Sequence, residues 1–126
     1  MDDRVNDKLR ELKIEDFVWV IYIGIILLSW YSNSLERKYF IYNDLYSKEK
    51  YQRIVIFNFL VLVVIYYYFF KSSYDDIKDL SYSDSLKKKR LTYLSFISSL
   101  LILISGLIYL YIAVVDDNID VELAFN

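Results

Sequence analysis

Three long stretches without a charged residue divide the chain. They cover residues 17–35, 54–70 and 91–115 and contain 19, 17 and 25 residues. An α-helix rises about 1.5 Å per residue and a bilayer core is about 30 Å thick, so each stretch is long enough to cross it. A soluble bundle, the alternative, would show polar residues at every turn of its water-facing helices. The pattern therefore predicts an all-α integral membrane protein with three transmembrane helices.

The segments beside these stretches carry amphipathic patterns. In residues 2–13, Val5, Leu9 and Leu12 follow helical spacing. This spacing predicts a short amphipathic N-terminal helix that lies on the membrane surface or extends the first span. In the first loop, residues 36–53, tyrosines at helical spacing predict an interfacial helix, and a solvated tyrosine-rich loop fits equally well.

We expect the 126 residues to form one three-helix transmembrane domain that ends in an acidic tail, residues 116–126. The tail alternates apolar and polar residues, which is typical of a strand that pairs with a partner's sheet edge. A loose terminal tail is the alternative. The candidate partner-docking residues are Val121, Leu123 and Phe125.

Small and hydroxyl-bearing residues recur every seven positions along the third stretch. Seven residues make nearly two helical turns, so these residues share one side of the helix, and small residues let membrane helices approach closely. The second stretch contains one amide side chain, and burying an amide without a hydrogen bond costs about 2–7 kcal/mol. The resulting helix-packing or pore-lining candidates are Asn58, Thr92, Ser95, Ser99, Gly106 and Ala113.

Aromatic residues gather near the ends of the uncharged stretches. Tyrosine and tryptophan favour the membrane–water interface because the ring lies among acyl chains while its polar atom meets water. Residues 66–70 are three tyrosines and two phenylalanines, which we call the tyrosine run, and a platform on which a ligand stacks is the alternative for them. The predicted interface aromatics are Trp19, Trp30, Tyr66, Tyr67 and Tyr68.

The distribution of lysine and arginine predicts the orientation. Residues 1–16 and 71–90 together carry ten basic residues, whereas residues 36–53 and 116–126 carry five. Basic residues favour the cytoplasmic side, so a multi-pass protein of the cell membrane is expected, with a cytoplasmic N-terminus and an extracytoplasmic C-terminus. The basic run before the third stretch is expected to contact lipid headgroups. Its members are Lys87, Lys88, Lys89 and Arg90.

Composition argues against most catalytic and cofactor chemistry. The chain contains no cysteine and no histidine, which excludes disulfides, thiolate or imidazole metal sites and Cys or His catalysis. The sequence has no Gly-rich phosphate loop and no recognisable nucleophile–base set. Its net charge of −2 argues against a nucleic-acid partner. We therefore predict no enzyme activity, no cofactor and no metal site.

These features predict a non-catalytic small membrane protein that acts through protein–protein contacts. It would be an accessory or regulatory subunit of a membrane complex, or a protective protein of the immunity type. The alternative is a homo-oligomeric pore or holin-like channel, lined by the Ser/Thr face of the third helix and by Asn58. The predicted partners are the lipid bilayer and either further copies of the chain or other membrane subunits.

Overall fold

The computed structural model describes residues 3–116, and these residues form three α-helices and no strand. The helices are α1 (Asp3–Tyr42), α2 (Leu45–Lys78) and α3 (Leu86–Val115). The all-α prediction is thus confirmed for the described residues. Two helices, α2 and α3, are long and apolar enough to cross a membrane. The third predicted span, in α1, is not confirmed and stays a prediction.

Helix α1 runs without a break through three segments that the sequence pattern separates. It contains the amphipathic N-terminal segment, the first uncharged stretch and the beginning of the predicted first loop. The N-terminal segment and the first uncharged stretch thus form one continuous helix, and where this helix lies relative to the membrane stays a prediction. The physical reason is that no proline interrupts the chain, and charged residues are compatible with a continuing helix.

In residues 36–53, for which the sequence leaves an interfacial helix and a solvated loop open, only the two-residue turn Asn43–Asp44 lies outside the helices. Asn43 adopts a φ of 53°, in the left-handed region that asparagine tolerates better than most residues. Its N–H donates to the Tyr39 carbonyl at 2.8 Å. Asp44 then caps α2, because its carboxylate accepts from the Tyr46 N–H at 3.1 Å and from the Ser47 hydroxyl at 2.9 Å.

Backbone contacts divide the described chain into two units, residues 3–54 and residues 55–116. The first unit contains α1 and the first turns of α2. In it, the Lys50 ammonium donates to the Tyr31 hydroxyl at 2.9 Å and lies 5.2 Å from the centre of that ring. Lys48 lies 5.4 Å from the centre of the Tyr39 ring. Two lysines of α2 therefore contact two tyrosines of α1 near the turn.

The second unit contains the rest of α2, packed against α3. The buried residues of α2 in this unit are Val55, Asn58, Phe59, Leu62 and Ile65. Along α3, the most covered side is marked by residues three and four apart, which we call the inner stripe. These residues are Thr92, Phe96, Ser99, Leu103, Gly106, Leu110 and Ala113. Alternating steps of three and four are typical of helices that pack with interlocking side chains at a small crossing angle.

Candidate interaction surfaces

Helices α2 and α3 approach closely at Gly106, which is buried. A Cβ atom placed on Gly106 would lie 2.9 Å from Cδ2 and 3.1 Å from Cε2 of Tyr66, and 3.4 Å from Cγ2 of Val63. Two carbon atoms are normally about 3.5–4.0 Å apart at contact. Any side chain at this position would therefore push against the Tyr66 ring, and the absence of one lets the helices come together.

Ring contacts lie on both sides of Gly106 along the α2–α3 pair. Phe59 stacks on Tyr109, with ring centres 5.6 Å apart and an interplanar angle of 22°. Toward the other end, the ring of Phe96 lies 5.2 Å from that of Phe70 and 6.2 Å from that of Tyr74. These are distances at which aromatic pairs attract each other. The two helices are thus joined by rings at two levels, with the glycine between them.

The predicted helix-packing residues of α3 do not all lie in equally covered positions. Gly106 and Ala113 are buried, Thr92 and Ser99 are half-buried, and Ser95 is exposed. Whether these residues pack helices or line a pore in an assembly stays a prediction. The residues that follow the seven-residue period therefore lie on the covered side of α3, and Ser95 lies at the edge of this covered side.

The hydroxyls of this stripe bond within their own helix. Thr92 donates to the Lys88 carbonyl at 2.8 Å, and Ser99 donates to the Phe96 carbonyl at 2.9 Å. Such bonds satisfy the hydroxyl locally, so small size is what these residues contribute to helix packing. On α2, the predicted candidate Asn58 belongs to the buried side, with 5% of its surface exposed.

The side of α3 opposite the inner stripe is exposed. Leu94, Ser98, Leu101, Ser105 and Ile108 are all exposed and follow one another at steps of four and three, so they share one side of the helix. We call this set the outer stripe. It alternates large and small side chains, a pattern that lets a second helix interlock with it. Seven residues separate Ser98 from Ser105, so their spacing in the sequence already places them on one side of the helix.

Low burial of the apolar helices is consistent with a lipid environment. In the most apolar window of each helix, 28% of the residues are buried in α2 and 11% in α3. An apolar helix in the core of a soluble protein is mostly covered by its own chain. The large apolar surface that α3 leaves open therefore fits contact with acyl chains or with another membrane helix.

The predicted interface aromatics divide into outward-facing and packed rings. Trp19, Trp30, Tyr67 and Tyr68 are exposed, whereas Tyr66 is half-buried and lies against Gly106. The tyrosine run therefore does not have one uniform environment. Residue Tyr66 takes part in helix packing, and the interface role of the others stays a prediction.

The start of α3 is fixed by a compact set of polar contacts. Ser85 caps the helix, because its hydroxyl accepts from the Lys88 N–H at 3.1 Å. The Asp84 carboxylate accepts from the Ser81 N–H at 2.9 Å and from the Lys88 ammonium at 3.1 Å. The Ser81 N–H and, to a smaller extent, the Lys88 ammonium lower the pKa of the Asp84 carboxyl, because both favour its charged form.

A groove of about 420 Å³ lies beside this cap. Its charged lining consists of Asp76, Lys87 and Lys88. Leu91 and three hydroxyl-bearing residues complete the lining; the latter are Ser85, Thr92 and Ser95. Two of the four predicted headgroup contacts therefore face one groove.

The other two basic residues have different surroundings. Lys89 lies 5.7 Å from the centre of the Tyr82 ring, and Arg90 is exposed. The basic run thus does not act as one uniform patch.

Two further predictions concern the tail and metal binding. The candidate docking residues Val121, Leu123 and Phe125 lie outside the described residues. Between residues 3 and 116, no group of three or more carboxylates is arranged to hold a metal ion.

Comparison with protein-family models, with characterised proteins and with solved structures finds no match to this chain. Its function is therefore inferred from the placement of its own residues.

Proposed function

We propose that this chain is a multi-pass protein of the cell membrane in which α1, α2 and α3 all cross the bilayer. The length and apolar character of α2 and α3 support this proposal. For α1, support comes from its 19-residue uncharged stretch inside one continuous helix. The excess of basic residues in segments 1–16 and 71–90 supports a cytoplasmic N-terminus and an extracytoplasmic C-terminus.

Single cysteines can test this topology, since the chain has none of its own. Val5, Tyr42 and Tyr82 are exposed in the structure and mark the two ends of α1 and the α2–α3 connection. We expect a membrane-impermeant maleimide to label Tyr42→Cys in intact cells but not Val5→Cys or Tyr82→Cys. All three should react after permeabilisation, which controls for access to the thiol.

The pattern of labelling separates the competing topologies. Equal labelling of Val5→Cys and Tyr42→Cys in intact cells would place both ends of α1 on one side of the membrane. It would show that α1 does not cross the bilayer. Labelling of Val5→Cys and Tyr82→Cys without Tyr42→Cys would invert the orientation.

Within the membrane, the proposed role is that of a non-catalytic subunit that acts through protein contacts, as an accessory, regulatory or protective (immunity-like) protein. The observation that carries this role is the outer stripe of α3. A helix that faced only lipid would gain nothing from serines between its leucines, whereas small residues allow a second helix to approach. Ser98 and Ser105 supply such positions at the level of Leu101.

A photoreactive amino acid placed at Leu101 tests this role. Leu101 is 61% exposed on the outer stripe, whereas Leu103 is half-buried on the inner stripe and provides the matched control. We expect irradiation of membranes to give one discrete heteromeric adduct from position 101 and none from position 103. The adduct should be lost when Ser98→Leu and Ser105→Leu fill the small positions, because a second helix can then no longer approach.

The same experiment separates the proposed role from its alternatives. A ladder of self-adducts would favour the homo-oligomeric pore, and a flux assay in liposomes would then measure conduction. Adducts with lipid alone from position 101 would show that the outer stripe has no protein neighbour, and the proposed role would be wrong.

A further inference from the structure

The turn between α1 and α2 is surrounded by exposed apolar side chains. Five of the seven residues from 40 to 46 are large and apolar or aromatic, and each is between 62% and 76% exposed. We call this set the hairpin tip; its members are Phe40, Ile41, Tyr42, Leu45 and Tyr46. The α2–α3 connection, residues 79–85, exposes one large ring, that of Tyr82. A connection that meets only water has no need of several such side chains, and clustered apolar exposure marks an interaction site.

Charged residues separate the hairpin tip from both neighbouring uncharged stretches. Residues 36–38 are all charged and lie between the first stretch and the tip, and residues 48–50 are all charged and lie between the tip and the second stretch. An aromatic belt has the opposite order, because its rings lie at the headgroup level where the hydrocarbon ends. The hairpin tip therefore does not have the sequence order of a belt.

Lys50 indicates how far the hairpin projects in the proposed topology. Its ammonium donates to the Tyr31 hydroxyl at 2.9 Å. An ammonium is costly in the bilayer core, so the core ends near Tyr31. Helix α1 continues without a break to Tyr42, a rise of about 16 Å from Tyr31, whereas each headgroup layer is about 5–7 Å thick. The hairpin tip thus stands in water, beyond the headgroups of its own bilayer.

The hairpin is cationic when every charged side chain is counted. Residues 36–53 contain five basic and three acidic residues, which gives a net charge of +2. Arg37 and Lys38 are exposed next to the tip. The other charges of the first unit lie in residues 3–16, at the opposite end of α1. A second copy of the hairpin would bring like charges together, whereas a surface with carboxylates would be attracted.

We propose that the hairpin tip binds a partner protein outside the membrane, through an amphipathic segment of the partner whose apolar side chains are flanked by carboxylates. This inference rests on the proposed topology. Tyr42 and Tyr46 supply large rings with few rotatable bonds, the kind of side chain that dominates binding energy at protein interfaces. Arg37 and Lys38 lie at the rim, where they attract the carboxylates and orient the partner. The hairpin tip is a different surface from the outer stripe, which belongs to α3.

Two synthetic peptides test the chemistry of the partner. Both are amphipathic helices with the same apolar positions, and the flanking positions carry glutamate in one and lysine in the other. Binding to the full chain in phosphatidylcholine nanodiscs is followed by fluorescence anisotropy, with empty nanodiscs as the blank. We expect the glutamate peptide to bind about tenfold more tightly than the lysine peptide, because the hairpin is cationic.

Substitutions at the hairpin tip test the location of the site. We expect Tyr42→Ser to weaken binding of the glutamate peptide about tenfold, and Leu45→Ser to act in the same direction. Tyr82→Ser is the matched control, because it removes an exposed ring of the same kind from the α2–α3 connection, and it should leave the affinity unchanged. Circular dichroism spectra of the three variants verify that each is folded.

Four results would overturn the proposal. Equal affinities of the two peptides would mean that charge does not select the partner, and equal losses in Tyr42→Ser and Tyr82→Ser would mean that the tip is not the site. Quenching of a fluorophore on Tyr42→Cys by brominated lipid would place the tip in its own bilayer. A dimer that Tyr42→Ser dissociates would identify a second copy as the occupant.

A failure of the topology gives a different result from a failure of the docking surface. If Tyr42→Cys reacts with the impermeant maleimide only after permeabilisation, the hairpin and its partner are not outside the cell. Both faces of a nanodisc are open to the peptides, so their affinities decide the docking chemistry for either orientation.

Discussion

Replacing Gly106 with leucine should weaken the packing of α3 on α2 by about 1–3 kcal/mol, the usual cost of adding bulk to a filled interior. The first added carbon already falls 2.9 Å from Cδ2 of Tyr66, and the remaining carbons of leucine need more room. The Tyr66 ring must turn away or the helices must separate. Unfolding in mixed micelles, followed by circular dichroism as the fraction of dodecyl sulfate rises, measures the change.

Gly24 provides the matched control for this substitution. A Cβ atom at Gly24 would have no neighbour within 4 Å, although this glycine also lies inside a long helix. Replacing either glycine with a better helix former stabilises its helix by about 1 kcal/mol through helix propensity. A difference between Gly106→Leu and Gly24→Leu therefore reports the space around each residue. If the two variants unfold at the same dodecyl sulfate fraction, Gly106 does not determine the approach of the helices.

The seven-residue period of α3 could be read from the sequence because it depends only on helix geometry. Any helix places Ser99, Gly106 and Ala113 on one side, and the structure shows that this side is covered. The partner of this side could not be derived in the same way. Tyr66, which fills the space at Gly106, belongs to an aromatic run that covers every side of α2, so its pattern does not say which ring turns inward.

The helix ends were less predictable than the uncharged stretches. Charged residues mark where an apolar environment would end, but they do not end a helix, whose backbone hydrogen bonds are the same beside lysine or leucine. For this reason α1 continues past Glu36 to Tyr42, and α2 begins before Arg53, at Leu45. The signals that do end these helices are local, namely the left-handed conformation of Asn43 and the caps at Asp44 and Ser85.

The outer stripe could be predicted only in part. Its serines stand between leucines, so its polarity does not separate it from the rest of an apolar helix. Helix geometry puts Leu94, Leu101 and Ile108 opposite the seven-residue stripe, and the structure adds that this stripe is covered by α2. The outer stripe is thus identified as the open side of α3 once the inner stripe is known to be covered.

Truncating Phe59 to alanine should have the largest effect of any substitution considered, a loss of about 2–4 kcal/mol. Phe59 is 2% exposed and stacks on Tyr109, so its removal leaves a cavity between α2 and α3. Phenylalanine-to-alanine changes in soluble cores cost about 3–5 kcal/mol. The expected value is lower here because separated helices would expose the ring to lipid, which is itself apolar.

Phe57→Ala is the control, because Phe57 lies two residues away on the same helix but is 54% exposed. Its truncation removes the same atoms without opening a cavity, and we expect the unfolding midpoint in dodecyl sulfate to move little. Phe59→Leu keeps most of the volume and loses the stacking, which is worth about 0.5–1.5 kcal/mol. The expected order of stability is therefore Phe57→Ala, then Phe59→Leu, then Phe59→Ala. Equal midpoints for the two alanine variants would mean that α2 does not present Phe59 to α3, and the pairing of the two helices would have to be redrawn.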